Sequence, residues 1–228
     1  MSTDFKIPPR KNTLKKHLPV AILIDKSGSA HDIRPLVERS VRKMIQKLQA
    51  EITFRGVVEL LMIFFSGECQ AAEFTPLEKM QPDAFSMPEC TGTTNTGQAL
   101  LYALGKLEKK RLEWEQSGER SFEPLMFLLT DGFPDAGIGA PEKVREAVKK
   151  SYQDAAQTVR KMEREGNLLF LAAGVQRKNG VCADMAKLQE LSAFPDRIFR
   201  VDDSGGLDGV ELFFHVIYEQ TLTMTAGL

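Results

Sequence analysis

Apolar residues follow two alternating rhythms along the chain. Unbroken runs such as VAILI (20–24), VVELLMIFF (57–65), PLMFLLT (124–130) and LLFLAAGV (168–175) read as strands buried on both faces. RIFRV (197–201) is a shorter run of the same kind. Between them the apolar positions fall at helical spacing. Ile33, Leu36, Val37, Val41, Met44, Ile45 and Leu48 make one stripe, and Pro35 places that helix's start near Asp32. A second helix is predicted from near Gly97 through ALLYALGKLEKKRLEWE. A third spans about 141–165, with Val144, Ala147, Val148, Tyr152, Ala155, Val159 and Met162 as its stripe. Pro141 suits its first turn and Gly166 the position past its end. DMAKLQELSAF predicts a short helix and DGVELFFHVIYEQ a last one.

Strand–helix alternation of this kind predicts an α/β fold, a mainly parallel sheet with helices on both faces. QAAEFTPL (70–77) follows its preceding strand too closely for a crossover, so it predicts a hairpin and one antiparallel edge strand. No linker, repeat or low-complexity tract divides the chain. The organisation expected is an N-terminal arm over residues 1–17, polar and basic, and a single domain over 18–228.

Composition narrows the function classes. The formal net charge is −1, with acids and bases interspersed, which argues against nucleic acid as a partner. The three cysteines, Cys69, Cys90 and Cys182, form no CxxC pair, and reduced thiols in a cytoplasmic protein are expected. The N-terminus has no apolar core of a signal peptide, and no run is long enough to span a membrane.

In doubly wound sheets, ligands sit beyond the carboxyl ends of the strands, where the winding reverses. Three loops at such ends carry small oxygen side chains. Asp25-Lys26-Ser27-Gly28-Ser29 follows VAILI, Asp131-Gly132 follows PLMFLLT, and Thr91-Gly92-Thr93-Thr94-Asn95-Thr96-Gly97 precedes a helix. The alternate spacing at 25, 27 and 29 lets a tight loop turn three oxygens inward, and Gly28 is expected to relieve crowding there. Hard cations such as magnesium take oxygen donors of this kind. Singly, each piece also fits a turn, a helix cap or an ordinary loop; together they suggest one site.

The set DxSxS at 25–29, a threonine loop, and an aspartate after an apolar strand resembles the von Willebrand factor A domain over about residues 18–220. LLTDGFPDA, and GTTNTGQAL before an amphipathic helix, are similar to the bacterial tellurite-resistance-associated, TerY-like branch. The resemblance implies a Rossmann-like, six-stranded sheet with one antiparallel edge strand. It also implies a metal-ion-dependent adhesion site formed here by Asp25, Ser27, Ser29, Thr94 and Asp131. Thr93 and Thr96 neighbour the threonine position; Thr94 is assigned because the family's metal threonine opens a T-N-T triplet. The implied cofactor is Mg2+, with Mn2+ or Ca2+ as substitutes. The implied partner is a protein that brings an Asp or Glu to the metal, in a stress or tellurite-resistance setting that includes a kinase and a phosphatase.

The competing class is a magnesium-dependent phosphatase with a nucleophilic aspartate after its first strand. It needs a second acid two residues on, where this chain has Ser27. GxGxxG, GxxxxGK[ST] and GxSxG are missing. His31 is too close in sequence to Ser29 to face it well, and His17 and His215 show no partner in the sequence. The expectation is a non-enzymatic, cytoplasmic interaction module, with a structural subunit whose metal site goes unused as a further alternative.

Overall fold

The structure is a computed structural model that describes residues 16–132, 134–176, 183–202 and 209–226. Strand β1 (Lys16–Asp25) is followed by a 3-10 turn (Gly28–Ile33) and helix α1 (Arg34–Ala50), with Pro35 in the first turn of α1. Next come β2 (Val58–Phe65), the short β3 (Thr75–Pro76) and helix α2 (Thr96–Gln116). The chain continues through β4 (Arg120–Ser121), β5 (Leu125–Thr130), α3 (Glu142–Arg164) and β6 (Leu169–Gln176). It ends with α4 (Met185–Gln189), β7 (Ile198–Asp202) and α5 (Val210–Thr225).

The strands lie in the order β3-β2-β1-β5-β6-β7, parallel except for the antiparallel β2–β3 pair. This is the expected Rossmann-like α/β architecture. A seventh strand, β4, pairs with the beginning of β1, Lys16 opposite Arg120 and His17 opposite Ser121. A two-residue strand leaves no periodic signal, which is why the sequence did not show it.

Alternation along β1 explains why its run is apolar without a break. Val20, Ile22 and Ile24 enter a core shared with α1 and α5, while Ala21 and Leu23 enter one shared with α2 and α3. Both cores are needed, so neither face of the strand can be polar. The winding reverses between β1 and β5: β2 and β3 lie on one side of β1, and β5, β6 and β7 on the other. Asp25 and Asp131 stand at the carboxyl ends of the two strands that flank this reversal.

Several expectations change. The arm expected over residues 1–17 lies outside the described residues up to position 15, and Lys16 and His17 belong to β1. His17 is also not partnerless. Its ring stacks on Trp114 with centroids 4.6 Å apart, and its nitrogens lie 3.2 Å from Glu119 and 3.8 Å from Glu59. His215 likewise stacks on Tyr218 and lies 3.6 Å from Glu219. The first turns of α3 depart from the predicted stripe. Val144 and Ala147 are exposed, and burial begins at Val148. Cys182 falls outside the described residues.

Candidate metal centre

Asp25 ends β1 in the buried interior, yet carries a carboxylate. Burying an ion there costs several kcal/mol unless it is well hydrogen-bonded. The chain supplies donors from two elements. The Ser27 N–H donates to Asp25 Oδ1 at 2.8 Å, and the Thr130 hydroxyl donates to Asp25 Oδ2 at 2.5 Å. Ser27 Oγ and Ser29 Oγ are 2.8 Å apart, and Ser29 Oγ donates to Asp131 Oδ1 at 3.1 Å. One hydrogen-bonded chain therefore runs from the loop after β1 to the residue after β5. Asp25, Ser27, Thr94 and Asp131 are buried; Ser29 is exposed and marks the solvent side.

The threonine loop is tied in by main chain. Gly28 N donates to Gly92 O, Thr91 N to Lys26 O, and Asn95 N to Ser66 O. Thr94 exchanges two backbone bonds with Asp135, at 3.2 and 2.7 Å, in an antiparallel bridge. Among the three candidate threonines, position separates their roles. Thr93 packs toward Gly67 and Gly137, and Thr96 is buried in the first turn of α2. Thr94 turns inward: a methyl group placed on Gly132 would meet Thr94 Oγ1 at 3.4 Å, Ser29 Oγ at 3.8 Å and Asp25 Oδ2 at 3.9 Å. Oxygens from the loop after β1 and from the threonine loop thus surround the space beside Gly132, which itself lies in the loop after β5. Gly28, by contrast, does not relieve crowding, since a side chain there would meet only Gly92 O at 3.8 Å.

The structure thus brings together all five residues singled out in the sequence. The cluster is built mostly of hydroxyls, with two carboxylates, and among the described residues no group of three His, Cys, Asp or Glu side chains is placed to hold a metal. Burial pushes Cys69 up to about 11 and raises Cys90 as well, so both are protonated at neutral pH.

The von Willebrand factor type A domain family matches residues 20–212. The chain belongs to that family. A stretch of 142 residues is 32% identical to inter-alpha-trypsin inhibitor heavy chain H3 of Bos taurus, covering 58% of this A domain's chain and 15% of the bovine protein. The chain therefore spans a small part of that relative. Among solved structures, the open form of the pilus adhesin SpaC of Lactobacillus rhamnosus GG superposes with a TM-score of 0.63 at 16% identity. That match covers 90% of this chain and 30% of SpaC. The vWF domain of the pili tip protein Mfa5 of Porphyromonas gingivalis gives 0.56 at 10% identity, covering 91% and 96%. Proximal thread matrix protein 1 of the mussel byssus, described with a zinc-occupied MIDAS motif, gives 0.52 at 15%, covering 92% and 48%. At these identities the likeness is one of fold.

Thr130 was missed in the sequence, where it looked like the end of a strand. It is fully buried, donates to Asp25 and accepts from Gly132 N at 3.2 Å. It holds the Asp25 carboxylate in orientation. Thr130→Val should lower unfolding stability by about 1.5–3 kcal/mol, the range for a hydrogen bond to a charged group. Thr130→Ser should recover most of it. Urea midpoints of the three proteins check this; a Thr130→Val protein as stable as wild type would remove Thr130 from the site.

Proposed function

We propose that this A domain is a cytoplasmic, divalent-cation-dependent protein-interaction module. Asp25, Ser27, Ser29, Thr94 and Asp131 would hold the ion, and a partner's Asp or Glu would complete its coordination. The observation that carries this reading is the convergence of Asp25, Ser29 and Thr94 oxygens around Gly132, with Asp131 bonded to Ser29. The donors are all oxygen, without nitrogen or sulfur, which favours Mg2+ over softer metals, with Mn2+ and Ca2+ as possible substitutes. The zinc-occupied motif of the mussel relative supports a divalent cation in this kind of site. With few carboxylates supplied by the protein, magnesium keeps water and an open position, and that position suits a carboxylate.

The LLTDGFPDA and GTTNTGQAL stretches support placement in the TerY-like branch, hence a tellurite-resistance or stress setting with a kinase and a phosphatase as candidate partners. No catalytic role is proposed. Ser27 bonds to Ser29, and Ser29 to Asp131, rather than to a histidine, and a phosphatase's second acid is replaced by Ser27. Among the described residues no helix is long and apolar enough to cross a membrane.

Mass action supplies the test. A ligand at a hundredfold excess over its Kd stabilises the folded state by about 2.7 kcal/mol. For a domain of this size that is a rise of roughly 5–10 °C in Tm. Thermal unfolding in magnesium and in chelator should show this rise, and no phosphate-ester hydrolysis should accompany it. Equal midpoints in magnesium, manganese, calcium and chelator would refute the metal site.

A further inference from the structure

We infer that the segment 134–140 forms an apolar half of the docking surface, built to receive a partner loop that carries a hydrophobic side chain within a few residues of its metal-reaching acid. This rests on the metal-site reading above. Ile138 is fully exposed, and Pro134, Ala136 and Ala140 are the other apolar side chains of the segment. The chain around it is shaped for that display. Gly137 and Gly139 flank it with φ of +91° and +77°, the left-handed region that glycine tolerates.

The loop is fixed to the candidate site rather than hanging free. Asp135 is bridged to Thr94 by two backbone bonds, and Asp135 Oδ1 accepts from Gly137 N at 2.9 Å. A methyl group on Gly137 would stand 2.8 Å from Thr93 Cγ2, so Gly137 rests on the threonine loop. Ile138 is the next residue. Three residues of chain reach at most about 11 Å, which keeps Ile138 within a short peptide's span of Thr94.

Beside this loop is a cavity of about 280 Å³, lined by Pro134, Ala136 and Val148 together with Arg145, Lys149 and Lys187. Of these cations, Lys187 pairs with Glu190 at 2.6 Å and Arg145 lies 3.8 Å from Glu142, while Lys149 has no acidic partner among the described residues. Asp135 is an acid at the rim, and its Oδ1 is engaged by Gly137. The apolar wall and the cationic rim together favour a partner segment that is hydrophobic and acidic at once.

The experiment selects a phage-displayed library of short random peptides on the full chain in magnesium. Synthetic peptides of the resulting consensus are then measured by fluorescence polarisation. The expected consensus pairs Asp or Glu with Leu, Ile, Val or Phe at a fixed spacing. Ile138→Ser should bind these peptides about tenfold more weakly, the size expected for one aliphatic side chain, with its magnesium affinity unchanged. Chelator should abolish binding to both proteins. Acid-only peptides bound equally by wild type and Ile138→Ser would overturn this inference and leave the metal reading intact. Hydrophobic peptides that survive chelation would overturn both. Failure to select any consensus, or wild-type dimers in sedimentation that Ile138→Ser disperses, would also overturn the inference, the latter giving the face to a second copy.

Discussion

Gly97→Ala is expected to destabilise the protein by about 3 kcal/mol or more, at the upper end of overpacking costs, because the clash is with main chain that has no rotamer to change. A methyl group at Gly97 would stand 2.2 Å from Tyr152 N, 2.4 Å from Ser151 C and 2.6 Å from Tyr152 Cα. Helices α2 and α3 touch backbone to backbone at this point, so one must move. The movement reaches the site, because Asn95 caps α2 and accepts from Ser151 Oγ at 3.1 Å, and Thr94 is its neighbour. Magnesium affinity should fall along with stability. Gly105→Ala lies in the same helix with nothing within 4 Å, and should instead stabilise by about 0.5–1 kcal/mol. Thermal denaturation of both variants checks the pair; a Gly97→Ala protein as stable as Gly105→Ala would show that the close approach is not real.

Asp25→Ala should weaken magnesium binding by about a hundredfold or more, in line with the cost of removing one partner of a buried charge pair. Asp25 accepts from Ser27 N and from Thr130, so alanine also strands a buried N–H and a buried hydroxyl. Asp25→Asn keeps the shape and separates the two effects. It should fold with near-native stability in chelator, lose the magnesium-dependent rise in Tm and show no heat of binding by calorimetric titration. Wild-type affinity in Asp25→Asn would mean that the carboxylate is not a ligand, however well placed its neighbours are.

The core of this A domain is legible in the chain because burial on both sides of a strand forces an unbroken apolar run. VAILI and PLMFLLT are such runs, and their central strands β1 and β5 lie where the runs place them. The same logic points to the loops at their carboxyl ends, so Asp25, Ser27, Ser29 and Asp131 could be proposed together. The helical stripes are readable for a similar reason, since Val37, Val41, Met44, Ile45 and Leu48 all reach the core.

Elsewhere the chain carries no local signal. Val144 fits the stripe of α3 but is exposed, and burial along that helix begins only at Val148. The facing of Thr93 and Thr94 is decided by contacts with Gly67, Gly137 and Gly132, which are distant in sequence. Thr130 becomes a support for Asp25 only because β5 lies beside β1. His17 finds Trp114 and Glu119 through the pairing of β4 with β1. Sequence by itself determined which residues are apolar, which are oxygen donors and where strands must end. Tertiary structure decided which of those donors face one another, because such contacts depend on crossovers that join residues about a hundred positions apart, as Ser29 and Asp131 are.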